Sequence, residues 1–242
     1  MISPGRNSPV VKLTLLGGFD LRVAGQSAVV LPRKAQALLA YLVVQDVQTA
    51  AREAVADLLW TDRGAEQARH GLRQTLLMIR HVLGIAGDGV VHSHGGMLSI
   101  VYGSIESDAD RLAHLLPSTS RADLIEVTKL YIGPLLDGFL PVSANFDEWL
   151  IRKREQIADG VLRAMERLAD SWAISGEVHE AVLVTERMFA LDPLREDVHR
   201  RMMEAYVRAG RRSDAVRHYD ECVRLLRREL DVAPAVETKM MF

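Results

Sequence analysis

Arg69, Arg73 and Arg80 recur at helical spacing in residues 64–83. On a wheel of about 3.6 residues per turn they line one flank of a helix whose core face is Ala65, Ala68, Leu72, Leu76, Ile79 and Leu83. Gln67, His70, Gln74 and His81 point away from that core face. Guanidinium groups on a flank can meet phosphates or guanine edges, and a central glutamine can bond adenine through two hydrogen bonds. An ordinary solvated face is the plain alternative. Leu77 and Met78 also point outward, where polar groups are expected. Coverage by neighbouring structure is the expectation for them, and contact with a thymine methyl the alternative. Arg33-Lys34 stand in the first turn of another helix, where cations oppose the helix dipole and an anion such as a backbone phosphate would relieve the cost.

Other combinations carry less. His92-Ser93-His94 places two imidazoles on one strand face, but no cysteine or further histidine at ligand spacing completes a metal site, and none is expected. The adjoining Gly95-Gly96 suits a tight hairpin tip able to approach a minor groove. Phosphate-binding glycine loops, a His-Glu-x-x-His pair and a nucleophile with its base are all missing from the sequence, so neither catalysis nor a cofactor is expected.

The elements that must position these residues follow from pattern and punctuation. Lys12–Gly17, Phe19–Ala24 and Ala28–Leu31 read as three short strands. Pro32 opens a first helix buried through Ala35, Leu38, Leu39 and Leu42, and Arg52 to Trp60 forms a second with Val55, Leu58 and Leu59 inward. Asp62 is the expected N-cap of the third helix, ended by Gly84 and Gly87. Val90–His94 and Met97–Val101 make a hairpin. Ser107 and Asp108 cap the next helix, after which the texture is almost continuously helical. Pro117–Ser120 and the Pro134, Gly138, Pro141 group interrupt it, and a long amphipathic stretch runs from Phe146 to about Ser175. Trp60, Trp149 and Trp172 fall on apolar faces and read as core.

A repeat of 34 residues links Leu168 with Met202, Trp172 with Tyr206, Gly176 with Gly210, Ala181 with Ala215, and Phe189 with Val223. The acidic pairs Glu180 with Asp214 and Glu186 with Asp220 share it. A glycine at the inter-helix turn and an alanine where helices cross closely fit a tetratricopeptide-like unit. The expected organisation is therefore a disordered lead over residues 1–11, an α+β winged helix-turn-helix domain over 12–104, and an all-α helical-repeat domain over 105–242.

At 242 residues and 48% hydrophobic content, two ordinary domains can each bury a core. The formal charge of −2 hides a split. Residues 1–107 hold 10 Lys/Arg against 8 Asp/Glu, and residues 108–242 hold 20 against 24. The front half is thus mildly basic, which permits a polyanionic partner without requiring one. The single cysteine, Cys222, excludes an internal disulfide, reads as buried filler and fits the cytoplasm. No apolar run approaches a membrane span, and no membrane partner is expected.

Several segments resemble the winged-helix half of the SARP-type bacterial activators, relatives of the OmpR-type DNA-binding domains. They are Leu15-Leu16-Gly17-Gly18-Phe19, Pro32-Arg33-Lys34 with Leu38-Leu39-Ala40-Tyr41-Leu42, Arg52-Glu53 with Leu58-Leu59-Trp60, and Ala68-Arg69 through Leu83-Gly84. Tyr131-Ile132-Gly133, Leu135-Leu136-Asp137-Gly138, Trp149, Leu191-Asp192-Pro193, His199, Tyr206, Gly210-Arg211, Tyr219 and Glu229-Leu230 resemble the same activators' transcriptional activation domain. The resemblance implies a sequence-specific activator that binds direct-repeat promoter sites in double-stranded DNA, with its third helix in the major groove and its wing on the backbone. It also implies contact with RNA polymerase and a possible homodimer on DNA. Arg69, Arg73 and Arg80 match the family's basic positions, with Gln67, His70, Gln74, Arg33 and Lys34 as further candidates and Gly95 and Gly96 at the wing. Leu77 and Met78 depart from it, and Asp231 stands where the family usually has glycine. Many relatives continue into further domains, so the chain also reads as a fragment. The competing expectation is a protein-docking adaptor.

Overall fold

The computed structural model describes residues 11–27, 30–45, 47–84 and 90–241. In chain order the elements are β1 (Val11–Thr14), β2 (Asp20–Val23), β3 (Gln26–Ser27), α1 (Arg33–Val43), β4 (Thr49–Ala51), α2 (Arg52–Leu59), α3 (Ala65–Leu83), β5 (Val91–His94), β6 (Met97–Ile100) and β7 (Ile105–Ser107). The helices α4 (Asp108–Leu115), α5 (Arg121–Leu130), α6 (Ala144–Ile174), α7 (Val178–Leu191), α8 (Glu196–Arg208), α9 (Arg212–Leu230) and α10 (Val236–Lys239) follow. Two compact units emerge: residues up to His114 with Leu130–Ile157, and Leu115–Lys129 with Ala158 onward.

In the first unit the alternation of β1 buries Val11 and Leu13 and leaves Lys12 exposed. The strand pairs antiparallel with β2, Leu13 opposite Leu21, and parallel with β7, giving the order β3-β2-β1-β7. A second sheet, ordered β4-β6-β5, carries the hairpin. The three helices of a winged helix lie between β3 and β5 in sequence, with β4 between the first and the second. Helix α1 is covered nearly all round, with Ala35, Ala37, Leu38, Leu39, Ala40, Leu42 and Val43 buried. A helix without a polar face is a core helix, and α2 and α3 can pack on it only through apolar faces of their own.

Several expectations shift. Val11, expected in the disordered lead, is strand and fully buried; the rest of that lead lies outside the described residues. The third strand sits at Gln26–Ser27 rather than 28–31, because Ala24 and Gly25 both take positive φ (53° and 80°) and turn the chain back at once. Of that expected span, residues 28 and 29 lie outside the described residues, as does Gly87. Gly64, not Asp62, holds the N-cap of α3, and no side chain caps it. Ala65 is exposed in the first turn, and Leu58 is only half-buried. Strands β4 and β7, three residues each, were not expected: such lengths give no alternation to read, and only their partners define them.

The boundary expected between 104 and 105 does not coincide with the change in compactness. Asp108, which opens α4, accepts the N–H groups of Leu15 (2.8 Å), Leu16 (3.0 Å) and Ala109 (2.8 Å) on its carboxylate. Leu16 forms an antiparallel bridge with Leu135, and the Leu136 N–H donates to the Leu15 carbonyl at 2.7 Å. Arg154 donates to the carbonyls of Leu135 and Leu136. Phe146, fully buried, stacks with Trp149 at 5.1 Å, and Trp149 with Tyr41 of α1 at 5.0 Å. Residues 130–157 thereby complete the core of the first unit.

The placement of α3 depends on Trp60. Its indole is 4% exposed and lies so close to Gly71 that a Cβ there would sit 2.6 Å from Nε1. The Lys34 ammonium stands 4.8 Å from the ring centroid. Trp60 is thus core as expected, whereas Trp149 and Trp172 are half-buried.

In the second unit the repeat is reproduced bond by bond. Gly176 and Gly210 take positive φ (80° and 73°). Glu177 N–H donates to Trp172 O at 2.9 Å, and Arg211 N–H, 34 residues on, donates to Tyr206 O at 2.8 Å. Ala181 and Ala215 are both buried at the helix crossings. Trp172 and Tyr206, matched across the repeat, each carry a guanidinium on the ring face, Arg121 over Trp172 at 4.2 Å and Arg211 over Tyr206 at 4.6 Å. Arg121 also donates to Ser171 O and Oγ, both at 2.9 Å. The unit's core holds a pair of histidines: His199 Nδ1 and His218 Nε2 lie 3.0 Å apart, and Pro193 O lies 2.8 Å from His199 Nε2. Phe189 edges both rings. Cys222 is fully buried, and burial pushes its thiol up to about 11. Asp231 ends α9 in the left-handed region (φ 55°), which explains why glycine suits that position.

Two stability measurements test this packing. Gly71→Ala should gain helix propensity yet lose more to overpacking against Trp60, a net destabilisation of about 1–2 kcal/mol in urea unfolding. A stabilised variant would show that the indole yields freely. His218 has its pKa lowered to about 4 by burial and then by the neighbouring His199, with Glu221 Oε2 3.7 Å away on its other side. Because the folded pKa lies below the ordinary 6.5, the unfolded chain takes up the proton first. Stability is then complete above about pH 6.5 and falls by about 3 kcal/mol as pH drops to about 4. His218→Gln should flatten that slope relative to wild type; identical slopes would refute the assignment.

Candidate nucleic-acid interface

Helix α3 buries Ala68, Leu72, Leu76, Ile79 and Leu83 and turns the opposite side outward. Gln67, His70, Gln74, Leu77 and His81, spaced by alternate steps of three and four, form one exposed stripe. Four of the five are the polar residues expected there. The fifth, Leu77, is 52% exposed, and Met78 beside it is 41% exposed, so the described residues of this unit, the hairpin included, do not cover these two side chains.

The flank of three arginines separates into three different environments. Arg73 is exposed and forms no hydrogen bond or ion pair with any described residue. Arg69 pairs with Glu53 of α2, Nε to Oε1 at 3.0 Å, with both side chains more than half exposed. Such a surface pair is worth about 0–1 kcal/mol and can be exchanged for another anion. Arg80 is half-buried: its Nη2 donates to Val91 O at 3.4 Å, and its Nε is buried without a partner. The third arginine therefore positions β5 against the last turns of α3 rather than facing outward. It is the hairpin strand β5 packing beside this turn, through Val91, that engages it.

The Arg33-Lys34 pair is also engaged within the protein. Lys34 is half-buried on the Trp60 ring, and burial lowers its pKa, an effect that Asp62 opposes. The indole face thus relieves the adverse dipole that had suggested a phosphate. Arg33 remains exposed while donating to Pro141 O at 3.2 Å.

At the wing, Gly95 and Gly96 take positive φ (57° and 79°), the two-residue turn that matches strand twist. His92, Ser93 and His94 are exposed on β5. Among the described residues no group of three or more potential ligands could hold a metal. Two residues outside the candidate site residues shape this edge. Arg52 donates from Nη1 to Ser93 Oγ at 2.6 Å, and its N–H donates to Gly96 O at 2.9 Å, fastening the start of α2 to the hairpin. Glu53 sets the state of Arg69. Neither could be found without β4, whose pairing with β6 brings them there.

The second unit offers no comparable stripe. Its hollow of about 420 Å³ on α8 and α9 is lined by Arg211, Arg217 and Arg224 but also by Asp214, Asp220 and Glu221, and Asp214 holds both Arg211 and Arg217. Charges of both signs cancel there. No helix among the described residues is long and apolar enough to cross a membrane.

Residues 105–242 match the family described as the bacterial transcriptional activator domain. The chain is 22% identical to the transcriptional regulatory protein MoaR1 of Mycobacterium tuberculosis, over 96% of this chain and 78% of that protein. It is 29% identical to the regulatory protein AfsR of Streptomyces coelicolor over 82% of this chain, but it spans only 20% of AfsR. The fold superposes on Mycobacterium tuberculosis EmbR, solved in complex with a low-affinity phosphopeptide, with a TM-score of 0.74 at 18% identity, covering 96% of this chain and 63% of EmbR. That likeness bears on the fold: a small β-containing winged-helix domain followed by a tetratricopeptide-like helical domain. The chain therefore belongs to the bacterial transcriptional activator domain family and is a SARP-type transcriptional regulator.

Proposed function

We propose that the chain binds double-stranded promoter DNA with α3 in the major groove and the β5–β6 wing against the backbone. The observation that carries this reading is the outward stripe of α3, four polar side chains able to bond base edges, with Arg73, which has no partner among the described residues, beside it. Arg73 can reach a phosphate without breaking a bond to any described residue. Arg69 and Arg33 add cations that exchange at small cost, while Gln74 at the centre of the stripe has the geometry for adenine. The binding domain is compact and carries few free cations, so tight binding calls for more than one copy. Direct-repeat sites occupied by paired copies meet that need. The helical repeats then serve as the surface that engages RNA polymerase, and the protein acts in the cytoplasm.

The exposed Leu77 and Met78 favour a second reading, in which α3 docks on a protein. Selection from a random duplex pool separates the two, since an adaptor enriches nothing. In the DNA reading, affinity for the enriched duplex falls about 10³-fold between about 50 and 200 mM salt if about six phosphates are contacted by the bound copies. Arg73→Ala should weaken all duplexes similarly and lower the salt slope. Gln74→Ala should cost about 10–100-fold on the selected site alone, the worth of one bidentate base contact. Unchanged binding by both variants would place the contact on another surface.

A further inference from the structure

Leu77 is the unexplained member of the α3 stripe. The helix buries its leucines at 72, 76 and 83, whereas Leu77 stands on the opposite side at 52% exposure. Its neighbours one turn away are Arg73 and Gln74 before it and Arg80 and His81 after it. Met78 adjoins the stripe from the other side, so the apolar surface is small and bordered by polar groups. A protein hot spot needs a larger, water-excluding surround. A single methyl group needs only one side chain. The major groove offers one apolar feature, the C5-methyl of thymine; every other edge presents a donor or an acceptor.

We propose that Leu77 is a specificity-determining residue that packs on a thymine methyl in the major groove. The inference rests on the DNA-binding reading of α3 and adds the base class that this helix selects. A leucine at that place favours thymine by the burial of its methyl group. It disfavours guanine, adenine and cytosine because their polar edges would be dehydrated with no partner. Three residues of helix advance about 4.5 Å, and base pairs are spaced about 3.4 Å apart. The thymine therefore lies within about two base pairs of the base that Gln74 contacts.

The test starts from the enriched duplex and the full chain. Each thymine is replaced singly by deoxyuridine, which removes the methyl and leaves the hydrogen-bonding edge intact. Affinities are measured for wild type, Leu77→Ala and Met78→Ala, each first shown by thermal melting to be folded. One replacement should weaken wild type about fourfold, the worth of one buried methyl. The same replacement should leave Leu77→Ala within about 1.5-fold of its own affinity for the thymine duplex, and Met78→Ala should respond as wild type does. A duplex bound tightly but insensitive to uracil everywhere overturns the role of Leu77 while leaving DNA binding intact. Equal sensitivity in Leu77→Ala overturns it too, since another group then reads the methyl. Enrichment of no duplex at all removes the DNA-binding reading and this inference with it.

Discussion

The indole of Trp60 occupies the space that any side chain at position 71 would need, and the orientation of α3 follows from that contact. Trp60 ends α2 and meets α3 in its second turn, so the ring fixes how closely the two helices approach. Lys34 adds a third element from the first turn of α1. Three helices thus converge on one aromatic plane. A helix with a stripe of outward polar groups can present them reproducibly only if its inward side is held this firmly.

The distribution of cations follows from the same packing. A count of arginines along α3 suggests an even basic flank. In the folded chain each is set by the element packed beside it: Arg80 supports the wing, Arg69 is shared with Glu53, and Arg73 has no partner among the described residues. The mildly positive front half therefore understates how local the electropositive character is. Among the described residues of α3 and the start of α1, one unpaired guanidinium, two exchangeable ones and a polar stripe form a small footprint.

Much of the architecture was legible because periodicity carries it. The five buried positions of α3, the long α6, the glycine hairpin and the 34-residue repeat follow from spacing alone, and the repeat recurs down to paired backbone hydrogen bonds around Gly176 and Gly210. What escaped is what depends on partners distant in sequence. Strands β4 and β7 are too short to show alternation. The Asp108 carboxylate reads as a simple cap from sequence, yet it also receives two amides from residues 92 and 93 positions earlier. For the same reason the segment 130–157 reads as part of the helical half, although its buried rings belong with Tyr41. At the candidate interface the positions of the side chains were legible but not their engagement. Whether an arginine is free depends on Glu53 and Val91, which no spacing rule connects to it.

The buried Cys222 has a practical corollary. The sole sulfhydryl of the chain is enclosed and held in its protonated, unreactive form near neutrality. A cysteine introduced at an exposed position would therefore be the only group that a maleimide dye or nitroxide reagent reaches quickly. Distances within either unit, or between two copies, become measurable by fluorescence or spin resonance in the native sequence background, with no prior removal of the resident sulfur.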